Sequence, residues 1–161
     1  MSDKNVTQKN WSSWHHLLHN EILSKKTLIP KGSDILISVS GGQDSMALLV
    51  LIDDLKKLHN WSISVWHGDH QWHDKSSIYA HELKSYCEGK NISFYSDKAN
   101  KEKISSEEKA REWRYKKLCE RAKTFLNKDH QQKNIYLLTG HTSSDNAETF
   151  ILNLSRGTNF A

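Results

Sequence analysis

The sequence predicts an α/β fold: a doubly wound, mainly parallel sheet with helices on both faces, of the Rossmann-like kind. Two observations predict it. Short apolar, β-prone runs alternate with longer amphipathic ones along the chain, which is the pattern of βα units. Three of the four β-prone runs end in polar, chemically capable residues, at Ser40, at His67 and at Gly140-His141. In an open parallel sheet the carboxyl ends of the strands share one edge, and ligands bind there.

The elements follow in order. Residues 1–10 are polar and are expected to be disordered, leaving 11–161 as a single domain. A helix is expected from Asn10 to Lys25, with Trp11, Trp14, Leu18 and Ile22 forming its apolar face. Pro30-Lys31-Gly32 breaks it. Asp34 to Val39 reads as the first strand, Met46 to Leu58 as an apolar helix, Trp61 to His67 as the second strand. Ser76 to Lys90 reads as a helix and Asn91 to Tyr95 as a third strand. Ser105 and Glu108 have capping-box spacing before a helix that runs to Leu126. Ile135 to Thr139 is a fourth strand, and Thr142 is expected to cap a last helix with Ala147, Ile151 and Leu154 on one face.

Composition narrows the class. With 161 residues, 26% charged and 36% hydrophobic, the chain suits one soluble globular domain. No apolar run approaches the ~18–20 residues that span a bilayer, so no membrane association is expected. The polar start carries no secretory signal, which makes a cytoplasmic location the expectation. Cys87 and Cys119 are far apart and form no CxxC pair or disulfide framework. The net charge of +4 tolerates an acidic partner such as RNA without requiring one.

Ser40-Gly41-Gly42-Gln43-Asp44-Ser45 lies between an apolar strand and an apolar helix. Its glycines permit a tight turn and close backbone approach. The helix behind offers free N–H groups and a positive dipole end, which suit phosphate. Ser40 and Ser45 can add hydroxyl donors. Asp44 repels an anion, but it fits if it holds Mg²⁺ against the phosphates; the plainer alternative is a Gly-rich turn with Asp44 as a helix cap. Neither a Walker loop with its lysine nor a dinucleotide fingerprint is present.

Further along, His67, Asp69, His70 and His73 are polar residues of a strand-to-helix loop, with imidazole and carboxylate close enough in sequence to bind zinc. Arg111 and Arg114 share a helix face; Arg111 is the favoured site residue, and pairing with Glu107 and Glu108 on a solvated face is the alternative. His141, Asp145 and Glu148 stand at a strand end and helix start. His141 is placed to act as a base. Asp145 and Glu148, one turn apart, can grip a cationic group or serve the helix dipole.

Four segments together resemble a known family. Ser40 to Ser45 (SGGQDS) resembles the SGGxDS loop of the PP-loop ATP pyrophosphatases, which cleave ATP between the α- and β-phosphates and place AMP on a substrate oxygen. His67-Gly68-Asp69-His70, Ala110 to Tyr115 (AREWRY) and Gly140 to Thr149, followed by Leu154-Ser155-Arg156-Gly157, are similar to segments of the tRNA(Ile)-lysidine synthetases within that group. The resemblance covers about Asp34 to Thr158. It implies ATP and Mg²⁺ at the loop, with His67 and His70 lining the nucleotide side and free L-lysine held near Asp145 and Glu148. The implied substrate is tRNA(Ile) with a CAU anticodon, whose wobble cytidine is adenylated at C2 and then joined to lysine. His73 departs from the family, where an arginine is usual.

Two other readings share the loop. A tRNA thiolase would use the same ATP site, although thiolases generally carry reactive or metal-binding cysteines near it. Family members continue past the point where this chain stops, so the domain is expected to be incomplete at its C-terminus. An inactive nucleotide-binding module is the reading of the other class.

Overall fold

A computed structural model of the chain describes residues 11–71, 76–100, 104, 106–126, 135–143 and 146–153. The elements are α1 (Ser13–Ser24), β1 (Asp34–Ser38), α2 (Gln43–His59), β2 (Ser62–Asp69), α3 (Ser76–Gly89), β3 (Ser93–Lys98), α4 (Glu107–Leu126), β4 (Ile135–Ser143) and β5 (Asn146–Asn153). They form a sheet of order β3-β2-β1-β4-β5. The first four strands are parallel, with Ile37 of β1 in register with Val65 of β2 and Leu138 of β4. The chain runs outward from β1 through β2 to β3, then returns to place β4 on the other side of β1. That reversal makes the β1–β4 boundary the topological switch point.

Strand alternation divides the core. Ile35, Ile37 and Val39 face the layer of α2 and α3, where Leu49, Ile52, Leu55, Leu83 and Cys87 are buried. Leu36, Trp66 and Leu137 face α4, which contributes Leu118 and Ala122. Both faces of the parallel sheet are therefore covered, and its strands read as near-continuous apolar runs for that reason. The doubly wound α/β prediction holds.

Three local expectations differ. The inward stripe is Trp11, just before α1, with His15, Leu18 and Ile22; His15 and Ile22 are buried and the other two partly so, whereas Trp14 is 67% exposed. Position 15, not 14, lies between 11, 18 and 22 on a 3.6-residue period. His15 is accommodated because its Nδ1 accepts from the Ser12 N–H at 3.1 Å and its Nε2 meets Asp54 at 3.0 Å. At α4 the observed cap is Ser106, whose hydroxyl accepts from the Lys109 N–H at 3.3 Å, while Ser105 is outside the described residues. The helix expected after Thr142 is replaced by β5, antiparallel to β4, with Leu137 opposite Leu152. Thr149, Phe150 and Ile151 are β-prone residue types, and their pairing covers the open edge of β4.

Candidate functional site

The turn after β1 is built from its own polar atoms. Gly41 has φ +90°, a backbone conformation that side chains oppose, and Gly42 caps α2 from an extended conformation. Ser45 is 2% exposed, and its hydroxyl donates to the Gly42 carbonyl at 2.9 Å while accepting from the Ser40 N–H at 3.2 Å. The Ser40 hydroxyl in turn accepts from the Gly42 N–H at 3.3 Å. Ser45 thus closes the loop with its hydroxyl. The loop is left with the first-turn N–H groups of α2 and the positive end of its dipole, which favour an anion by about 0.3–1 kcal/mol.

A cavity of about 420 Å³ opens above this turn, within the range of small-molecule sites. Its floor is the end of β1 with Ser40, Gly42, Asp44 and Ser45. One wall is the end of β2, at His67, Gly68, Asp69 and His70, and Gly140 of β4 closes the opposite side. Three strand ends therefore meet at the switch point. The Gly140 approach is close: a Cβ there would stand 3.0 Å from the Ser45 Cα and 3.2 Å from its amide nitrogen.

The β2 wall is held in place. His67 is 4% exposed, and its Nδ1–H donates to the Val39 carbonyl at 2.7 Å. Asp69 is buried and accepts from the Gln71 N–H at 2.8 Å. Burial lowers the pKa of His70, with the Arg114 cation acting the same way, Asp69 opposing and His67 adding a smaller push.

From α4, Glu107 and Arg114 reach the cavity. Burial lowers the pKa of Arg114, with Tyr115 and Glu107 opposing and Arg111 assisting. Its Nε is buried without a hydrogen-bond partner among the described residues. A partly desolvated guanidinium with an unmet Nε–H beside a helix N-terminus is equipped to take a phosphate. Arg111 is exposed instead, its guanidinium 5.6 Å from the Tyr115 ring centroid.

The structure thus brings Ser40, Gly42, Asp44, Ser45, His67 and His70 to one cavity. Gly41 shapes the turn, and Gln43 is exposed at the start of α2. Of the two arginines it puts Arg114 at the wall, because the residues of α4 that point at the cavity are 107 and 114, two turns apart. His141 of β4 stands opposite Glu148 of β5 in register, one residue beyond Gly140; Asp145, His73 and Arg156 lie outside the described residues. Ser76 and Tyr79 of α3 and Glu107 also line the cavity and carry no motif by which the sequence could have marked them. Among the described residues no three His, Cys, Asp or Glu side chains could hold a metal; His73 lies outside them. No described helix is long and apolar enough to cross a membrane.

Comparison with known proteins fits this geometry. Residues 13–161 match the family described as PP-loop domain. The chain is 70% identical over 161 residues to a tRNA(Ile)-lysidine synthase of Prochlorococcus marinus subsp. pastoris, covering 100% of this chain and 48% of that protein. It is 39% identical over 148 residues to a tRNA(Ile)-lysidine synthase of Nostoc, covering 92% of this chain and 41% of that protein. A chloroplastic tRNA(Ile)-lysidine synthase of Pyropia yezoensis is 36% identical over 144 residues, covering 88% of this chain and 41% of its own length. The chain spans about half the length, or somewhat less, of these curated relatives.

Proposed function

The chain belongs to the PP-loop domain family, and from that premise we propose that it is the ATP-binding, adenylating part of a tRNA(Ile)-lysidine synthetase. The observation that carries the reading is the convergence of the SGGQDS turn, His67 and Gly140 on one cavity at the switch point. The names of its relatives supply the substrates.

In this reading ATP lies with its β- and γ-phosphates on the turn, against the first N–H groups of α2. Arg114 neutralises charge from the α4 side. Asp44 is a hard oxygen ligand in the first turn of α2, and with phosphate oxygens it would complete a site for Mg²⁺. The ion, when bound, spreads charge on the leaving pyrophosphate. The C2 carbonyl oxygen of the wobble cytidine attacks the α-phosphate, and pyrophosphate leaves. The amine of free lysine then attacks C2, AMP leaves, and the amine loses a proton. In this reading His141 accepts that proton, and Asp145 with Glu148 holds the cationic lysine. The chain's task is mainly electrostatic and positional.

A sulfur-transferring relative is disfavoured by the cysteines present. Cys87 is buried, and burial pushes its thiol up to about 11; burial also raises Cys119. Neither supplies a thiolate near neutral pH. The acceptor is a tRNA with a CAU anticodon, met in the cytoplasm. The test is AMP release from ATP and Mg²⁺. It should need both lysine and that tRNA, and release supported by a sulfur donor in place of lysine would overturn the assignment.

A further inference from the structure

Gly68 and Trp113 fit each other across two elements. Gly68 is the penultimate residue of β2, on the face turned toward α4. A Cβ there would lie 2.6 Å from Cη2 of Trp66 and 2.9 Å from Cζ3 of Trp113. The two indoles fill the space a side chain at 68 would take. Trp66 is fully buried and anchored, its Nε1–H donating to Asp97 Oδ2 at 2.7 Å. Trp113 packs against it with ring centroids 6.0 Å apart, and against Ala99, Ile104 and Ala110. The Trp113 ring also meets His70, with centroids 5.1 Å apart and planes at 68°. His70 lines the cavity and Trp113 does not.

We infer that Trp113 is a positioning residue of the nucleotide cavity: its indole, seated in the space left by Gly68, holds His70 in the cavity wall. The inference rests on the reading of that cavity as an ATP site. An edge-to-face ring contact fixes orientation as well as distance. The indole also adds to the burial of His70, and burial is the first cause of the imidazole's lowered pKa. Trp113 directly precedes Arg114 on α4, so the same helix turn sets the imidazole and the guanidinium together.

The experiment compares the whole chain with Trp113→Ala and Trp113→Phe. One readout is the NMR titration of the His70 ring, assigned with His70→Gln and needing no nucleotide. The other is ATP affinity by calorimetry. Trp113→Ala should move the His70 titration up toward that of a free imidazole and weaken ATP binding roughly tenfold, the scale of one lost aromatic contact. Trp113→Phe should restore most of both, because an aromatic ring is kept. A folded Trp113→Ala with an unchanged His70 titration, or with a shifted titration and unchanged ATP affinity, overturns the inference. If Trp113→Ala does not fold, Trp113→Leu, which keeps apolar volume and loses the ring, is read by the same criteria. Should the unaltered chain bind no ATP, the nucleotide reading falls, while the His70 titration still decides whether Trp113 holds that ring.

Discussion

The backbone of Ser45 occupies the place where a side chain on Gly140 would stand, 3.0 Å from the position of its Cβ. The end of β4 and the turn after β1 are therefore in direct contact across the switch point. A Gly140→Ala chain must displace the first turn of α2, since the obstructing atoms are backbone. A displacement of a few tenths of an ångström should weaken ATP binding by up to roughly tenfold. Calorimetry beside far-UV circular dichroism checks this; a folded variant with native affinity would mean that the contact yields freely.

Gly41→Ala acts on the same turn by a different route. At φ +90° a β-carbon is strained, by roughly 1–3 kcal/mol. The expected outcome is a lower denaturant midpoint together with weaker ATP binding. An unchanged midpoint would show that the turn relaxes to another conformation.

Asp44→Ala should keep the fold, because Asp44 is exposed in the first turn of α2. ATP binding should lose its dependence on Mg²⁺, measured by titration with and without the ion. Persistent Mg²⁺ dependence would remove the metal role of this carboxylate.

The two arginines of α4 separate cleanly. Arg114→Gln should weaken ATP binding by about 1.5–3 kcal/mol, the worth of hydrogen bonds to a charged group. Arg111→Gln should be close to silent, since that side chain is exposed beside Tyr115. The reverse ranking would place the phosphates on the other side of the helix.

Stability should fall as the pH drops below the ordinary histidine value of 6.5. His59 and His70 both have lowered pKa values in the folded chain, with burial the first cause in each; His19 and Lys31 add to it for His59. The folded state then binds fewer protons than the unfolded state just below 6.5, so their contribution is present above 6.5 and is lost through the lower folded values. Denaturant midpoints at about pH 7.5 and about pH 5.5 should differ in that sense. His59→Phe should reduce the difference; an equal difference would show that other groups cause it.

Much of the fold was legible because it is written in local periodicity. Ile35, Ile37 and Val39 against Leu36 mark a strand buried on both faces, and the apolar stretch behind Gly42 marks α2. The phosphate-suited turn was legible for the same reason, since Ser40 to Ser45 are contiguous and their chemistry is local. The region after Thr142 was not. Its residues suit a helix by pattern and a strand by side-chain type, and pairing with the free edge of β4 is a nonlocal contact that no short window contains.

The sequence by itself determined the α/β alternation, the Gly-rich turn at the head of α2 and the polar strand ends, because each depends on residues within a few positions of one another. Tertiary structure alone decided that Arg114 rather than Arg111 faces the cavity and that Ser45 ties the turn. It also decided that Gly140 lies against the backbone of Ser45 and that Trp113 packs on His70. Those outcomes depend on how α4 and β4 dock against β1 and β2, and docking is set by packing among residues tens of positions apart.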